Sequence, residues 1–258
     1  MHAAKEYLKY ALNARSAHGI HSPFVYDFIT QVLQPDKHYY SYPKLEHWRN
    51  KILSDSREIA ITDYGAGSRK FNSNKRVVGE MAATAGTPVK YLRLFYRMMN
   101  HYHFKDVLEL GTSCGITTGY LATASPGAQI DTVEGCKQTQ AVAREFLNRL
   151  NVQNVNLING RFEDVLASNT LQGRVYDFIF IDGNHREAST LNYFETLLHH
   201  AKSTTLFVFD DIHWSRGMTR AWEAIKNHRR VTFTFDLFKM GMVVVNPQYK
   251  KQHFRLRF

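Results

Sequence analysis

Three aspartates carry the most specific chemical signal in this 258-residue chain. The apolar run Tyr176-Asp177-Phe178-Ile179-Phe180-Ile181 ends in Asp182, with Gly183-Asn184-His185 behind it. A second run, Leu206-Phe207-Val208-Phe209, ends in the pair Asp210-Asp211, followed by Ile212-His213-Trp214. Carboxylates gathered at neighbouring strand ends repel one another, and burial makes their charged forms costly. A cation is therefore expected among them. All-oxygen donors suit a hard divalent ion, Mg²⁺ first and Mn²⁺ or Ca²⁺ as alternatives. His185 is placed to take a proton from a hydroxyl at neutral pH; the competing reading is a helix-capping or hydrogen-bonded histidine. His213 and Trp214 line the same pocket or serve the core. The pair His18 and His21 has no third ligand at useful spacing, and the chain holds no H-E-x-x-H zinc signature.

A second constellation lies upstream. Val107-Leu108-Glu109-Leu110-Gly111-Thr112-Ser113-Cys114-Gly115 reads as a buried strand ending in an acid, then a glycine turn opening a helix. Ligands of α/β sheets sit outside the carboxyl ends of the strands, where such a turn lets the backbone approach them. The spacing is G-x-x-x-G rather than the G-x-G-x-x-G of dinucleotide binding, which argues against NAD. The next strand ends at Glu134, 23 positions after Gly111, where an acid can accept both hydroxyls of a ribose. A third turn, Asn159-Gly160-Arg161-Phe162-Glu163-Asp164, is placed to meet an adenine. Ile59 to Ser68 also runs strand, acid and glycine turn (Gly65-Ala66-Gly67). No amphipathic helix follows it, so it reads either as a basic loop covering the site or as a surface turn.

These residues need elements to hold them. After residue 100, apolar runs at Asp106–Leu110, Gln129–Glu134, Val155–Asn159, Tyr176–Asp182 and Thr205–Asp210 alternate with helical patterns near 115–125, 137–150, 163–170, 187–200 and 215–228. That alternation specifies a parallel sheet with helices on both faces. Val231–Leu237 and Met242–Asn246 are joined by Phe238-Lys239-Met240-Gly241, too short for a crossover, so they form an antiparallel hairpin at one edge. Before residue 100 helices dominate, opened at Ser22-Pro23, Pro43 and Thr87-Pro88.

Five βα units closed by a hairpin, with the three turns in this order, resemble the class I S-adenosylmethionine (SAM) methyltransferases. The fold implied is a Rossmann-like, seven-stranded, mostly parallel sheet with a C-terminal hairpin and a helical N-terminal extension. The implied organisation is residues 1–100 as lid and substrate pocket and 101–258 as the SAM-binding domain. By that resemblance Glu109, Gly111, Thr112, Ser113 and Gly115 border the methionine part of SAM. Glu134, Gly135 and Cys136 hold the ribose, and Gly160, Arg161, Phe162 and Glu163 flank the adenine, with Asp182 at the cofactor's edge. The aspartates resemble those of catechol-type and of sugar- and macrolide-modifying metal-dependent O-methyltransferases. The resemblance makes Asp182, Asp210 and Asp211 the metal ligands, and Asp182 or His185 the base, His185 standing where catechol-type enzymes carry a lysine. The catechol group has Asp-Asn where this chain has Asp210-Asp211. The activity implied is metal-assisted O-methylation of a small-molecule hydroxyl; a metal-independent or RNA methyltransferase and a noncatalytic SAM-binding protein are the alternatives.

Composition narrows the class further. Forty-four percent hydrophobic and 22% charged residues are globular proportions. No apolar run reaches the roughly 18 residues of a membrane span. Two cysteines, Cys114 and Cys136, suit a reducing cytoplasm rather than a disulfide framework. The formal charge of +10 reads first as a solvated basic surface, with attraction of an anionic partner as the alternative. It is spread along the chain rather than gathered into a nucleic-acid arm; the basic surface points to an anionic acceptor and the apolar, aromatic N-terminal helices to a hydrophobic or aromatic one, and the sequence does not choose between them. The N-terminal helices offer a surface for a homodimer.

Overall fold

The computed structural model describes residues 2–16, 22–33, 37–62 and 75–258. In chain order the first elements are α1 (His2–Asn13), α2 (Pro23–Asp27), α3 (Ser41–Leu53), β1 (Glu58–Ala60), β2 (Lys75–Val77), α4 (Val78–Ala85) and α5 (Val89–Tyr102). Then come β3 (Asp106–Leu110), α6 (Ile116–Ala124), β4 (Gln129–Glu134), α7 (Lys137–Leu150), β5 (Val155–Asn159), α8 (Phe162–Ala167) and β6 (Tyr176–Ile181). The chain closes with α9 (Glu187–Leu197), β7 (Ala201–Phe209), α10 (Arg216–Asn227), β8 (Phe233–Asp236), β9 (Gly241–Val244) and β10 (Gln252–Arg255). Residue contacts divide the chain into two compact units, Met1–Leu33 with Leu166–Phe258, and Gln34–Val165.

In the unit Gln34–Val165, β3, β4 and β5 run parallel, with Asp106 to Leu110 in register with Gln129 to Val133. Val107, Leu108, Leu110, Ile130 and Val133 are buried, as continuous apolar strands covered on both faces must be. The helix expected from Thr87-Pro88 is α5, and its Leu92, Phe95 and Met99 are fully enclosed. The Pro43 helix starts two residues earlier than the proline, at Ser41, and buries Leu45 and Ile52. The rival strand at Ile59 pairs antiparallel with β2 rather than opening a βα unit. The turn Gly65-Ala66-Gly67 that follows it lies outside the described residues, as do His18 and His21.

In the other unit, β6 and β7 run parallel and β9 returns antiparallel between β7 and β8. The hairpin is therefore present, but it is not the edge. An additional strand, β10, runs parallel to β8, so among the described residues, apart from the separate β1–β2 pair, three strands lie in one unit and five in the other where a seven-stranded sheet is expected. The basic tail carries this strand because its Phe254 stacks on Phe235 and abuts Phe233, and Thr234 bonds His253 at 2.9 Å. The Ser22-Pro23 helix runs as α2 into a π-helical stretch over Phe28–Leu33, with Val25, Phe28, Ile29 and Val32 buried as the spacing predicts. Strand β7 begins four residues before the expected Thr205, with its exposed Ser203 and Thr204 explaining why the apolar signal starts late.

Trp222 of α10 is 1% exposed, and its ring lies where a side chain on Gly241 would stand, 2.6 Å from an added Cβ. A rigid buried indole cannot move aside as a flexible chain end does. Gly241→Ala is expected to cost about 1–3 kcal/mol in urea unfolding. Gly127→Ala, which meets only the end of Lys105 at 3.7 Å, serves as the near-neutral control.

Candidate active site

Within the unit Gln34–Val165 the glycine turn is tied to the next strand. Gly111 N–H and Thr112 N–H both donate to the Val133 carbonyl, at 3.0 and 3.2 Å. Gly111, Ser113 and Gly115 adopt φ of 111°, 48° and 77°, the left-handed region in which glycine is unstrained. At Gly115 a side chain would also stand 3.0 Å from Ala143 of α7. The turn thus brings Ser113 N–H to 2.9 Å from Glu134 Oε2, while Cys136 N–H donates to Oε1 at 2.9 Å. Gly160 N–H and Asn159 Nδ2 bond the Glu134 carbonyl, at 3.1 and 2.8 Å. Glu134 is therefore the hub of three loops: the 111–115 turn, Gly135-Cys136 and the start of the Gly160-Arg161-Phe162-Glu163 turn. Glu134, Gly135, Phe162 and Glu163 are part-exposed and Arg161 is exposed. They form the part-exposed side of the turn cluster.

Glu109 has a different setting from the one a surface-facing acid would have. It is fully enclosed, and its Oε2 accepts hydrogen bonds from Thr118 and Thr132, at 2.5 and 2.6 Å. Its Oε1 is buried without a hydrogen-bond partner among the described residues. Burial pushes its carboxyl up to about 7, against the pull of the two threonines and with Glu134 adding to the rise. The Glu109 side chain thus ties β3 to α6 and β4.

Within the other unit, Asp210 N–H donates to the Ile181 carbonyl at 3.0 Å, so the residues following β6 and β7 begin side by side. His185 Nε2 stands 3.7 Å from Asp182 Oδ1, close enough for a shared proton through a small adjustment or a water. Asn184 and His185 have φ of 63° and 38°. The strained turn is held by Asn184 Nδ2, which donates to Ser189 at 3.0 Å and to the Tyr193 hydroxyl at 2.8 Å. Trp214 flanks the histidine at 6.0 Å between ring centres. His213, by contrast, is buried and bonds Asp236 at 3.0 Å, so it serves the core of the hairpin.

The cation that the aspartates require is visible, and it is a lysine. Lys239 Nζ donates to Asp210 Oδ2 at 2.7 Å and to Asp211 Oδ1 at 2.6 Å. Burial opposes the ammonium, but Asp210, Asp211 and Asp182 outweigh it and raise the lysine above its ordinary value. Asp210 is 4% exposed; burial raises its carboxyl, with Lys239 opposing and Asp211 reinforcing the rise. Among the described residues no group of three or more His, Cys, Asp or Glu side chains is gathered as a metal nest. The donor set is thus arranged around an ammonium, and a divalent ion does not fit it as it stands. Sequence reasoning missed Lys239 because it treated the hairpin turn only as a connector. The signal was available: antiparallel pairing of Phe209 with Gly241, carried two residues further, sets Asp211 opposite Lys239.

The parallel strands and covering helices form a Rossmann-like α/β fold similar to that of solved O-methyltransferases. Residues 108–212 match the family described as a methyltransferase domain. The chain is 30% identical over 109 residues to a protein-L-isoaspartate O-methyltransferase of Shewanella woodyi, covering 42% of this chain and 49% of that protein. It is 29% identical over 126 residues to a catechol O-methyltransferase of Niastella koreensis, covering 48% and 55% respectively. The chain spans about half the length of these curated relatives. The solved O-methyltransferase of Bacillus cereus in complex with SAH aligns with a TM-score of 0.54 at 22% identity, over 62% of this chain and 83% of that one.

Glu109 supplies a stability test independent of any ligand. Its folded pKa is raised from 4.5 to about 7, so the folded state binds the extra proton. Its contribution is present below the unfolded value and is lost as pH rises through the folded one. Between about pH 5 and about pH 8, Glu109→Gln should gain on the wild type by up to about 3 kcal/mol, read from urea midpoints at each pH.

Proposed function

We propose that the protein is a SAM-dependent O-methyltransferase acting on a small-molecule hydroxyl. The observation that carries this reading is Glu134, whose two carboxylate oxygens are oriented by Ser113 N–H and Cys136 N–H. A carboxylate so oriented at the end of this strand is placed to accept the two hydroxyls of a ribose. The Phe162-Glu163 turn takes the adenine, and the backbone of Gly111 to Gly115 borders the methionine part. The methyltransferase-domain match over 108–212 and the fold shared with an enzyme solved with SAH support SAM as the cofactor.

Asp182 and His185, 3.7 Å apart, take the hydroxyl proton, and the oxygen attacks the methyl carbon in line. The C–O bond forms as the C–S bond breaks, and its electron pair returns to sulfur. Sulfonium and oxyanion neutralise each other, so the protein's contribution is alignment and exclusion of water. The helices before residue 100 supply acceptor-selective surface. A small aromatic or anionic acceptor suits the aromatic side chain of Trp214, 41% exposed beside His185, and the net charge of +10. Among the described residues no helix is long and apolar enough to cross a membrane. The buried free thiols of Cys114 and Cys136 favour a reducing compartment.

The test is SAM consumption with a panel of phenols, glycosides and RNA, beside calorimetric binding of SAH. Glu134→Ala is expected to weaken SAH by about 10- to 100-fold. Asp182→Asn and His185→Ala should each lower kcat by about 100-fold or more with SAH affinity kept. Absence of SAH binding would overturn the reading. Turnover confined to RNA would move it to a nucleic-acid methyltransferase, and bound SAH without turnover to a SAM-binding protein.

A further inference from the structure

The aspartate pair after β7 sits against a turn whose whole construction serves one side chain. Phe238 has φ of 68°, and its N–H donates to Asp236 Oδ1 at 2.9 Å. Its ring is packed by Tyr7 at 5.0 Å, Tyr10 at 5.5 Å and His213 at 5.6 Å. Leu237 N–H bonds the Met240 carbonyl at 2.9 Å, and Ile212 N–H bonds the Lys239 carbonyl at 3.2 Å. The lysine backbone is therefore fixed on both sides. Its side chain runs inward until 24% remains exposed. The two Nζ contacts, 2.7 and 2.6 Å, have the lengths of charge-assisted hydrogen bonds. An ammonium has three donors, and these contacts take two of them. Asp210 Oδ1 is meanwhile a buried acceptor without a hydrogen-bond partner among the described residues, and such an atom calls for a ligand or a water beside it.

We propose that Lys239 is the built-in cation of the acceptor site, filling the aspartate set in which the sequence leads one to expect a divalent ion, and that its third N–H holds the acceptor oxygen. The inference rests on the O-methyltransferase reading and names its acceptor class. A divalent ion can chelate two neighbouring oxygens and strongly acidifies a hydroxyl bound to it. One N–H donor grips a single oxygen and acidifies it less. The matching acceptor carries one hydroxyl that is already acidic, a phenol or an enol, and gains nothing from a vicinal partner. In the transfer the acceptor proton passes to the Asp182–His185 pair, and Lys239 keeps its own protons throughout. It stabilises the oxyanion until the C–O bond has formed and the C–S electrons have returned to sulfur. To admit a metal, the ammonium would have to leave both aspartates, since two cations at one spot repel each other.

The experiment is a Mn²⁺ titration of the full chain followed by electron paramagnetic resonance, with SAH binding measured in parallel. Wild type is expected to take up no stoichiometric Mn²⁺ up to millimolar concentration. Lys239→Met, which keeps the length and removes the charge, should gain Mn²⁺ affinity by at least about tenfold. Turnover of a phenol by wild type should be unchanged by EDTA. Stoichiometric Mn²⁺ on wild type, lost in Asp211→Asn, would overturn the inference, as would EDTA-sensitive turnover or a folded Lys239→Met with no gain. If Lys239→Met does not fold, the wild-type titration and Asp211→Asn decide alone. Failure of SAH binding would sink the methyltransferase reading while the Mn²⁺ result still reports on the lysine.

Discussion

Two consecutive aspartates, one of them almost wholly out of water, do not stay ionised together without a positive partner at contact distance. In this protein that partner is the ammonium of Lys239, bridging Asp210 and Asp211. Much of the unit that contains it follows from the need to hold it there. The antiparallel register of β7 and β9 brings the turn level with the aspartates. The left-handed Phe238 makes the turn tight enough, and the rings of Tyr7 and Tyr10 from α1 cover it. The first helix is itself anchored by the Tyr10 hydroxyl, which donates to the Leu256 carbonyl at 2.5 Å. Residues near both ends of the sequence thus brace the turn that carries Lys239.

The unit Gln34–Val165 solves a different electrostatic problem. Glu109 and Glu134 follow the same logic of strand ends, yet their surroundings push them to different roles. Glu134 receives backbone N–H donors on both oxygens and is part-exposed. Glu109 has two hydroxyl partners on one oxygen, none on the other among the described residues, and no contact with water. Its value near 7 makes it a structural hydrogen-bonding knot between β3, α6 and β4 whose charge depends on pH. The two acids stand 25 positions apart at the ends of paired strands, and only the neighbours brought to each by the fold distinguish them.

Local patterns were legible wherever a signal was continuous. Three strands, β3, β4 and β5, begin and end where the apolar runs do; β3 and β4 are buried over most of their length, while β5 is only part-buried. Helices α6, α7 and α10 fall within a residue of their expected bounds. Signals failed where burial came from a distant partner. The strand β10, its burial pattern exposed at Gln252 and His253, has no apolar run and exists because β8 offers it an edge and aromatic faces. The early start of β7 is likewise a matter of pairing, since its first residues are polar and partly exposed.

The candidate site divides along the same line. Sequence alone determined which residues lie at strand ends: the glycine turn, Glu134, Asp182, Asp210 and Asp211 are placed by periodicity and spacing, which are local properties of the backbone. What the charges do was decided only by tertiary structure. Lys239 lies 28 positions beyond Asp211 in a turn with no motif of its own, and it reaches the aspartates through strand register. Glu109 became a buried knot through threonines 9 and 23 positions away. Charge energies depend on distance and on exclusion of water, and neither quantity is written along the chain until it folds.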